Sequence, residues 1–289
     1  MTAPRHFSPT QSNLFAKCPE AYRRRYIEGE IIPPGFALVR GSAAHRGVEH
    51  TLRTKREKGV LPPLGDVLDA VRDEANARWQ GGVLLTPEET AEGHTNVKGR
   101  VIDEAITGAT LYHGTVAPNV APHYIEAKLT ADVSGLSRPL LGYADVITKQ
   151  DGIRDTKFVS KTPDEDAAAR SVQLTWYAFS YKVATGIESP VQVLDHIVLL
   201  KRGAKHEPRA VQNTRNDFPR LIRRIESQLL AIDAGTFPPA VPDAWWCSPR
   251  WCGYHATCPY VRRGGMVSVG AVAPPITEVT DGSREADPD

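Results

Sequence analysis

Long apolar runs are missing from this chain: none of its 289 residues sits in a stretch approaching the roughly 18 continuous apolar residues of a membrane-crossing helix. Met1 to Thr10 likewise shows no apolar run behind a basic start, so the expectation is a cytoplasmic protein without a membrane partner. Net charge is missing too. Thirty-five Lys and Arg stand against 34 Asp and Glu, a formal +1 that shows no global bias toward nucleic acid. Positive charge is instead local, at Arg23 to Arg25, Lys201 to Lys205 and Arg220 to Arg224, each of which also suits an ordinary solvated face. There is no internal repeat, which excludes a solenoid, and no GxxxxGK[ST] phosphate loop, which leaves the chain without a motor motif. Cysteine is scarce, with only four: Cys18 near the start and Cys247, Cys252 and Cys258 far downstream. In a reducing compartment, three thiols within twelve residues favour metal ligation over disulfides. So split a set cannot be a local zinc loop; if all four hold one centre, the two ends of the fold must meet.

What is present bounds a globular protein. A composition 41% hydrophobic and 24% charged can bury a core as one large domain. Gln11 to Tyr26 reads as a helix capped by Ser8 or Thr10, and Ala43 to Lys55 as a second that follows Gly41. Gly65 to Trp79 and Pro87 to Thr110 carry helical periodicity and suggest a helical insertion over about 60–120. The period then changes: Tyr124 to Val133, Pro139 to Thr148, Ile153 to Val159 and Val191 to Leu200 read as strands, with a turn at Gln150 to Gly152. Asp164 to Thr185 and Asp217 to Ile232 return to helix, and Gly264 to Asp289 reads as a flexible tail.

The chemistry collects on the hairpin Gly142 to Lys157. Asp145 lies on its first strand; Asp155 and Lys157 lie two apart on its second and share a face. Carboxylates from neighbouring strands can hold a hard divalent cation, and a lysine beside them can orient water or stabilise charge growing on a phosphate. Upstream, His45 follows Gly41 to Ala44, with Glu49 one turn further on the same face; an imidazole completes a carboxylate site and biases it toward manganese. Downstream, Gln173 and Tyr177 lie four apart on a helix and share a face. Each element alone also suits a structural reading, Asp-x-Lys as alternating surface charge and His45 as a structural histidine.

Taken in order, Gly41-x-x-x-His45, Gly142-x-x-Asp145, Asp155-x-Lys157 and Gln173-x-x-x-Tyr177 resemble the RecB-like branch of the PD-(D/E)xK nuclease superfamily. Cys18-Pro19 and the three trailing cysteines resemble its iron–sulfur branch, which includes CRISPR-associated RecB-like exonucleases and the AddB-type nuclease domain. The resemblance spans roughly Ser8 to Tyr260. It implies an α/β, restriction-endonuclease-like core, a mixed central sheet flanked by helices. That core would be one nuclease domain over 1–263, with a cysteine lobe formed by 8–30 and 240–263 that staples the termini.

Residue by residue, the resemblance implies that His45, Asp145, Asp155 and the Thr156 carbonyl hold Mn²⁺ or Mg²⁺. Lys157 is the catalytic lysine, and Gln173 and Tyr177 contact DNA or support the site. It also implies that Cys18, Cys247, Cys252 and Cys258 ligate a structural [4Fe–4S] cluster. Four residues separate Cys247 from Cys252 where the family usually has two, and four thiolates equally suit structural zinc. Trp245, Trp246, Trp251 and Tyr254 are expected to pack around that centre and exclude water, with stacking on nucleic-acid bases as the alternative role. The implied activity is end-directed, metal-dependent cleavage of single-stranded DNA or frayed ends. The implied setting is recombination, phage DNA metabolism or CRISPR adaptation, with a helicase or other partner to open duplex. Two other classes remain: a non-catalytic nucleic-acid-binding scaffold, and a redox regulator built on the cysteines.

Overall fold

The computed structural model describes residues 4–261, so the sequence expectation for 264–289 lies outside the described residues. Contacts along the chain separate two units, Met1–Thr257 and a part beginning at Cys258, and the helices and strands of the described residues lie in the first. Its centre is a five-stranded mixed sheet of β1 (Pro122–Ala131), β2 (Leu140–Thr148), β3 (Ile153–Val159), β4 (Gln192–Leu199) and β5 (Ala204–Val211), in spatial order 1-2-3-4-5. β3 and β4 run parallel and all other neighbours antiparallel. Among the described residues no helix is long and apolar enough to cross a membrane.

Helices cover both faces. On one side lie α3 (Phe36–Lys58), α4 (Leu64–Gln80), the short α5 (Pro87–Glu92) and α6 (His94–Leu111). Val48, Leu52, Val67, Val71, Ala105 and Ala109 bury themselves there against Ile125, Val146, Phe158 and Ile197 of the sheet. The helical stretch read as an insertion therefore joins α3 in building one layer of the core. Close approach needs small residues: a Cβ on Gly47 would meet Val71 Cγ2 at 2.7 Å, and one on Gly108 would meet Phe158 Cδ1 at 2.7 Å. On the other side, α7 (Val172–Thr185) and α8 (Phe218–Asp233) pack with α1 (Pro9–Lys17) and α2 (Pro19–Tyr22). Leu221, Ile225, Leu229 and Ile232 form the buried stripe of α8, in one cluster with Trp176, Tyr177, Ala144, Ile147 and Ile153.

Several boundaries differ from the sequence expectation. The helix expected over Gln11–Tyr26 breaks at Cys18, which is extended (φ −162°, ψ 101°) because the ring of Pro19 disfavours helix at the residue before it; Ser8 is the cap. Arg23–Ile27 continues as a wider, π-helical turn. α3 begins at Phe36, seven residues before the expected start, because Gly35 ends the preceding extended segment, and Gly41 lies inside the helix. Pro87–Thr110 splits in two at Gly93, whose φ of 92° no helix contains. α7 starts at Val172 under the Ser171 cap, not at Asp164. β5 has no counterpart among the expected strands. It is a polar edge strand, Ala-Lys-His-Glu-Pro-Arg-Ala-Val, without apolar alternation, and Pro208 is tolerated at a sheet edge.

Candidate active site

The site forms where two hairpin strands part. β2 and β3 pair only at Val146 with Arg154 and Ile147 with Ile153, next to a turn in which Asp151 takes the left-handed conformation (φ 60°) that a short polar side chain tolerates. Beyond that point β3 keeps its parallel partner β4 while β2 stays with β1. Asp145 bridges the gap: the Thr156 backbone N–H donates to its Oδ2 at 2.8 Å, replacing a ladder bond with a side-chain bond.

Asp155 and Lys157 project together, as their spacing requires. Lys157 Nζ lies 2.7 Å from Asp155 Oδ2 and donates to Gln173 Oε1 at 2.9 Å. Gln173 Nε2 donates in turn to the Tyr177 hydroxyl at 2.7 Å. The two helix residues thus do not point at open space; they form a relay that fixes the ammonium from behind. The Asp155–Lys157 contact is an ion pair that falls short of hydrogen-bond alignment. Asp155 Oδ1, fully buried, has no partner among the described residues. An orphaned anionic oxygen is the feature that a cation would satisfy.

His45, on α3, approaches from the opposite layer. Its Nδ1 is 3.6 Å from Asp145 Oδ2, and its ring stands edge-on to Phe158 at 5.4 Å. His45 and Asp145 border a cavity of about 600 Å³, shared with Ser42, Arg46, Glu49, Glu74, Arg78 and Glu126. Glu49 shares the His45 face as expected, but it is engaged by Arg46 at 2.9 Å and Arg53 at 2.7 Å. Glu126 is a site residue that the sequence motifs do not include. It sits on β1 between the residues that pair with Val146 and Ala144, and its φ of 51° marks an irregular backbone that no local motif signals. The signal available in the sequence is a lone acid two residues past Tyr124, inside a segment that reads as a strand.

Electrostatics follow from burial of like charges. Burial, then the charge of Asp155, raises Asp145 well above the ordinary carboxylate range, against the opposing pull of Lys157 and the Thr156 N–H. Burial alone would lower Lys157, yet Asp155 and Asp145 outweigh it and hold the ammonium above its usual value. His45 keeps 30% of its side chain open, but burial within the protein still lowers it, so the neutral, ligating form is favoured. Burial and Glu49 raise Glu126.

The raised Asp145 gives a stability prediction. Its folded value lies above the unfolded carboxylate value of about 3.9, so the proton it keeps stabilises the metal-free fold fully below that value. The contribution disappears as pH rises through the folded value. Asp145→Asn is therefore expected to be more stable than the wild type at neutral pH, by about 1 kcal/mol, with the gap closing in acid. Urea unfolding at two pH values checks this; a gap independent of pH would remove the like-charge explanation.

Donor chemistry suits a divalent cation: an imidazole held neutral, two carboxylates on neighbouring strands, and the orphaned Asp155 oxygen. Among the described residues, however, no three His, Cys, Asp or Glu side chains are grouped closely enough to hold an ion as they stand. Lys157 contacts Asp155 through Oδ2 and the Thr156 N–H contacts Asp145 through Oδ2, so one oxygen of each carboxylate lies outside these two contacts.

The cysteines are partly exposed and form no disulfide. Trp246 Nε1 donates to the Lys17 carbonyl at 3.1 Å, so the residues preceding Cys247 and Cys18 touch and these distant parts of the chain do meet there. Tyr254 is buried, its hydroxyl donating to the Glu30 carbonyl at 2.8 Å and its ring lying under Arg24 at 4.8 Å. Trp245 and Trp251 correct the expectation of a water-excluding shell: 65% and 57% of their surfaces are exposed, because the turns of 244–252 carry them on the surface with no helix or strand of the described residues over them.

Comparison with known proteins agrees with this geometry. A family model described as the PD-(D/E)XK nuclease superfamily matches residues 6–259. The Gene 69 protein of Mycobacterium phage D29 is 25% identical over 281 residues, spanning 88% of this chain and 97% of the phage protein. A crystal structure of a candidate exonuclease from Eubacterium rectale shares the fold with a TM-score of 0.55 at 13% identity, covering 94% of this chain and 91% of that one.

Proposed function

The chain belongs to the PD-(D/E)XK nuclease superfamily, and from that premise we propose that it is a metal-dependent exonuclease acting on single-stranded DNA or frayed DNA ends. The observation that carries this reading is the convergence of Asp145, Asp155, Lys157 and His45 at the parting of β2 and β3, with one buried Asp155 oxygen left without a partner among the described residues. Mn²⁺ or Mg²⁺, held by His45, Asp145, Asp155 and the Thr156 carbonyl, would supply Lewis-acid polarisation of a phosphate oxygen and acidification of water. Lys157 stays protonated under the influence of both carboxylates and offers its N–H donors to the attacking water or the phosphate. Gln173 and Tyr177 hold that ammonium in register. The cavity bordered by His45 of the helical layer and by Glu126 and Asp145 of the sheet is where a strand would enter.

In the same proposal the four cysteines form a structural thiolate centre, [4Fe–4S] or zinc, that joins the termini. The Trp246–Lys17 bond supports it by bringing the neighbours of Cys18 and Cys247 together. Metal analysis of anaerobically purified protein separates iron, zinc and neither. The setting proposed is recombination, phage DNA metabolism or CRISPR adaptation, beside a helicase or similar partner, since a chain without a motor motif relies on another protein to open duplex.

The direct test is digestion of end-labelled single-stranded DNA with added Mn²⁺ or Mg²⁺. Progressive shortening that a chelator stops is expected, and the labelled end reports polarity. Intact DNA under all conditions, despite a gel shift, would instead favour a binding scaffold.

A further inference from the structure

We propose that Trp245 and Trp251, flanked by Lys17 and Arg250, form a stacking surface for single-stranded nucleic acid outside the hydrolytic site. The choice of ligand rests on the nuclease reading; the surface itself rests on four observations. Two indoles expected from the sequence to lie inside are 65% and 57% exposed, a large apolar area for a globular chain to leave open. They meet edge to face, with centroids 5.4 Å apart and planes at 88°, so the two rings do not stack on each other and more than half of each indole surface stays open. The pair is anchored: Trp245 packs on Trp246 at 5.6 Å, and Trp246 is tied to α1 through its bond to the Lys17 carbonyl. A cation lies over each of the two rings. Lys17 Nζ lies 5.8 Å from the Trp245 ring and 6.0 Å from Trp246, and Arg250 lies 5.6 Å from Trp251.

Those cations are available to phosphates. Lys17 is exposed and pairs with no carboxylate among the described residues. Among the described residues Arg250 has one acidic neighbour, Glu88 at 3.6 Å, with both side chains more than half exposed, a pairing of little strength in water. Aromatic faces take up bases of any sequence, while cations at their margin follow the backbone; duplex DNA, its bases already stacked, offers such faces nothing. The chemistry therefore selects unpaired strands without selecting sequence.

The test measures binding of a short oligo(dT) to the full chain with no divalent ion added, by quenching of tryptophan fluorescence and by anisotropy of a labelled strand. Trp245→Ala/Trp251→Ala is expected to weaken binding about tenfold or more, the order that follows from losing a stacked base. Trp245→Phe/Trp251→Phe, which keeps ring faces, is expected to retain most of it, and the affinity should fall with salt. Hydrolysis of a small phosphodiester, bis-p-nitrophenyl phosphate, is expected to be the same in all three proteins. Equal oligo(dT) binding by the alanine pair would overturn the surface, as would an equal loss for a duplex of the same length or for the phenylalanine pair. If no form of the protein cleaves DNA or the small diester while the alanine pair still loses oligo(dT), the nuclease reading fails and the stacking surface stands. Retained oligo(dT) binding together with loss of a self-associated or protein-bound state would assign the indoles to a protein partner and end the proposal.

Discussion

Lys157→Ala is expected to lower divalent-ion-dependent DNA cleavage by at least about a hundredfold while a gel shift persists. The side chain makes two contacts at once, 2.7 Å to Asp155 Oδ2 and 2.9 Å to Gln173 Oε1, and nothing else among the described residues offers that carboxylate a positive charge at contact distance. Its removal has a second consequence. Asp155 is fully buried, and a buried carboxylate that loses its partner is destabilising by about 3–5 kcal/mol unless it takes a proton or a cation. The metal-free variant should therefore melt below the wild type, and Mn²⁺ should raise its melting temperature by more than it raises that of the wild type. Calorimetry with and without Mn²⁺ reads both effects. An equal metal-induced shift in the two proteins would mean that Asp155 takes no part in holding the ion.

Gly142→Ala is the second large expectation, and it acts without touching substrate. A Cβ at this position would lie 2.9 Å from Tyr177 Cε1, 3.2 Å from its Cδ1 and 3.5 Å from Trp176 Cδ1. Neither ring has space to retreat, since Trp176 is fully buried and Tyr177 nearly so. Overpacking of this kind is destabilising by about 1–3 kcal/mol. The displaced Tyr177 hydroxyl no longer meets Gln173 Nε2, and Gln173 in turn loses its grip on Lys157. Turnover is expected to fall about tenfold to a hundredfold, with little change in substrate affinity, because a misplaced ammonium harms the reaction more than the encounter. Gly142 is thus a positioning residue. A double-mutant cycle with Tyr177→Leu provides the check: the smaller side chain should recover stability lost at Gly142 without recovering turnover. Full recovery of turnover would show that the relay through Gln173 has no influence on Lys157.

The residues behind these two effects differ in how far the sequence discloses them. The shared face of Asp155 and Lys157 follows from the two-residue period of a strand, and the shared face of Gln173 and Tyr177 from the helical period; both appear in the structure as direct contacts or a single relay. β3 is legible to the residue, since Ile153–Val159 is a short strand-forming run between a turn and a polar loop. Periodicity is a local property, so it identifies residues that share an element. It is silent where an element carries no apolar pattern, as in β5, or where one residue interrupts a helix, as at Pro19 and Gly93.

The sequence by itself determined the inventory and its local geometry: which acids, which lysine, which helix pair and which cysteines, each placed on its own strand, helix or loop. Only the tertiary structure decided how those pieces meet. It brought His45 from the helical layer to within 3.6 Å of Asp145, and set the Thr156 N–H on the Asp145 carboxylate where β2 and β3 part. It added Glu126 through an irregular backbone, and closed the space beside Gly142 with a ring 35 positions later in the chain. It also turned Trp245 and Trp251 outward. The physical reason is common to all of these. Side-chain period is fixed by backbone geometry within a segment, whereas strand splaying, ring contacts and exposure depend on which distant segments pack together, and that is decided by burial of the whole core.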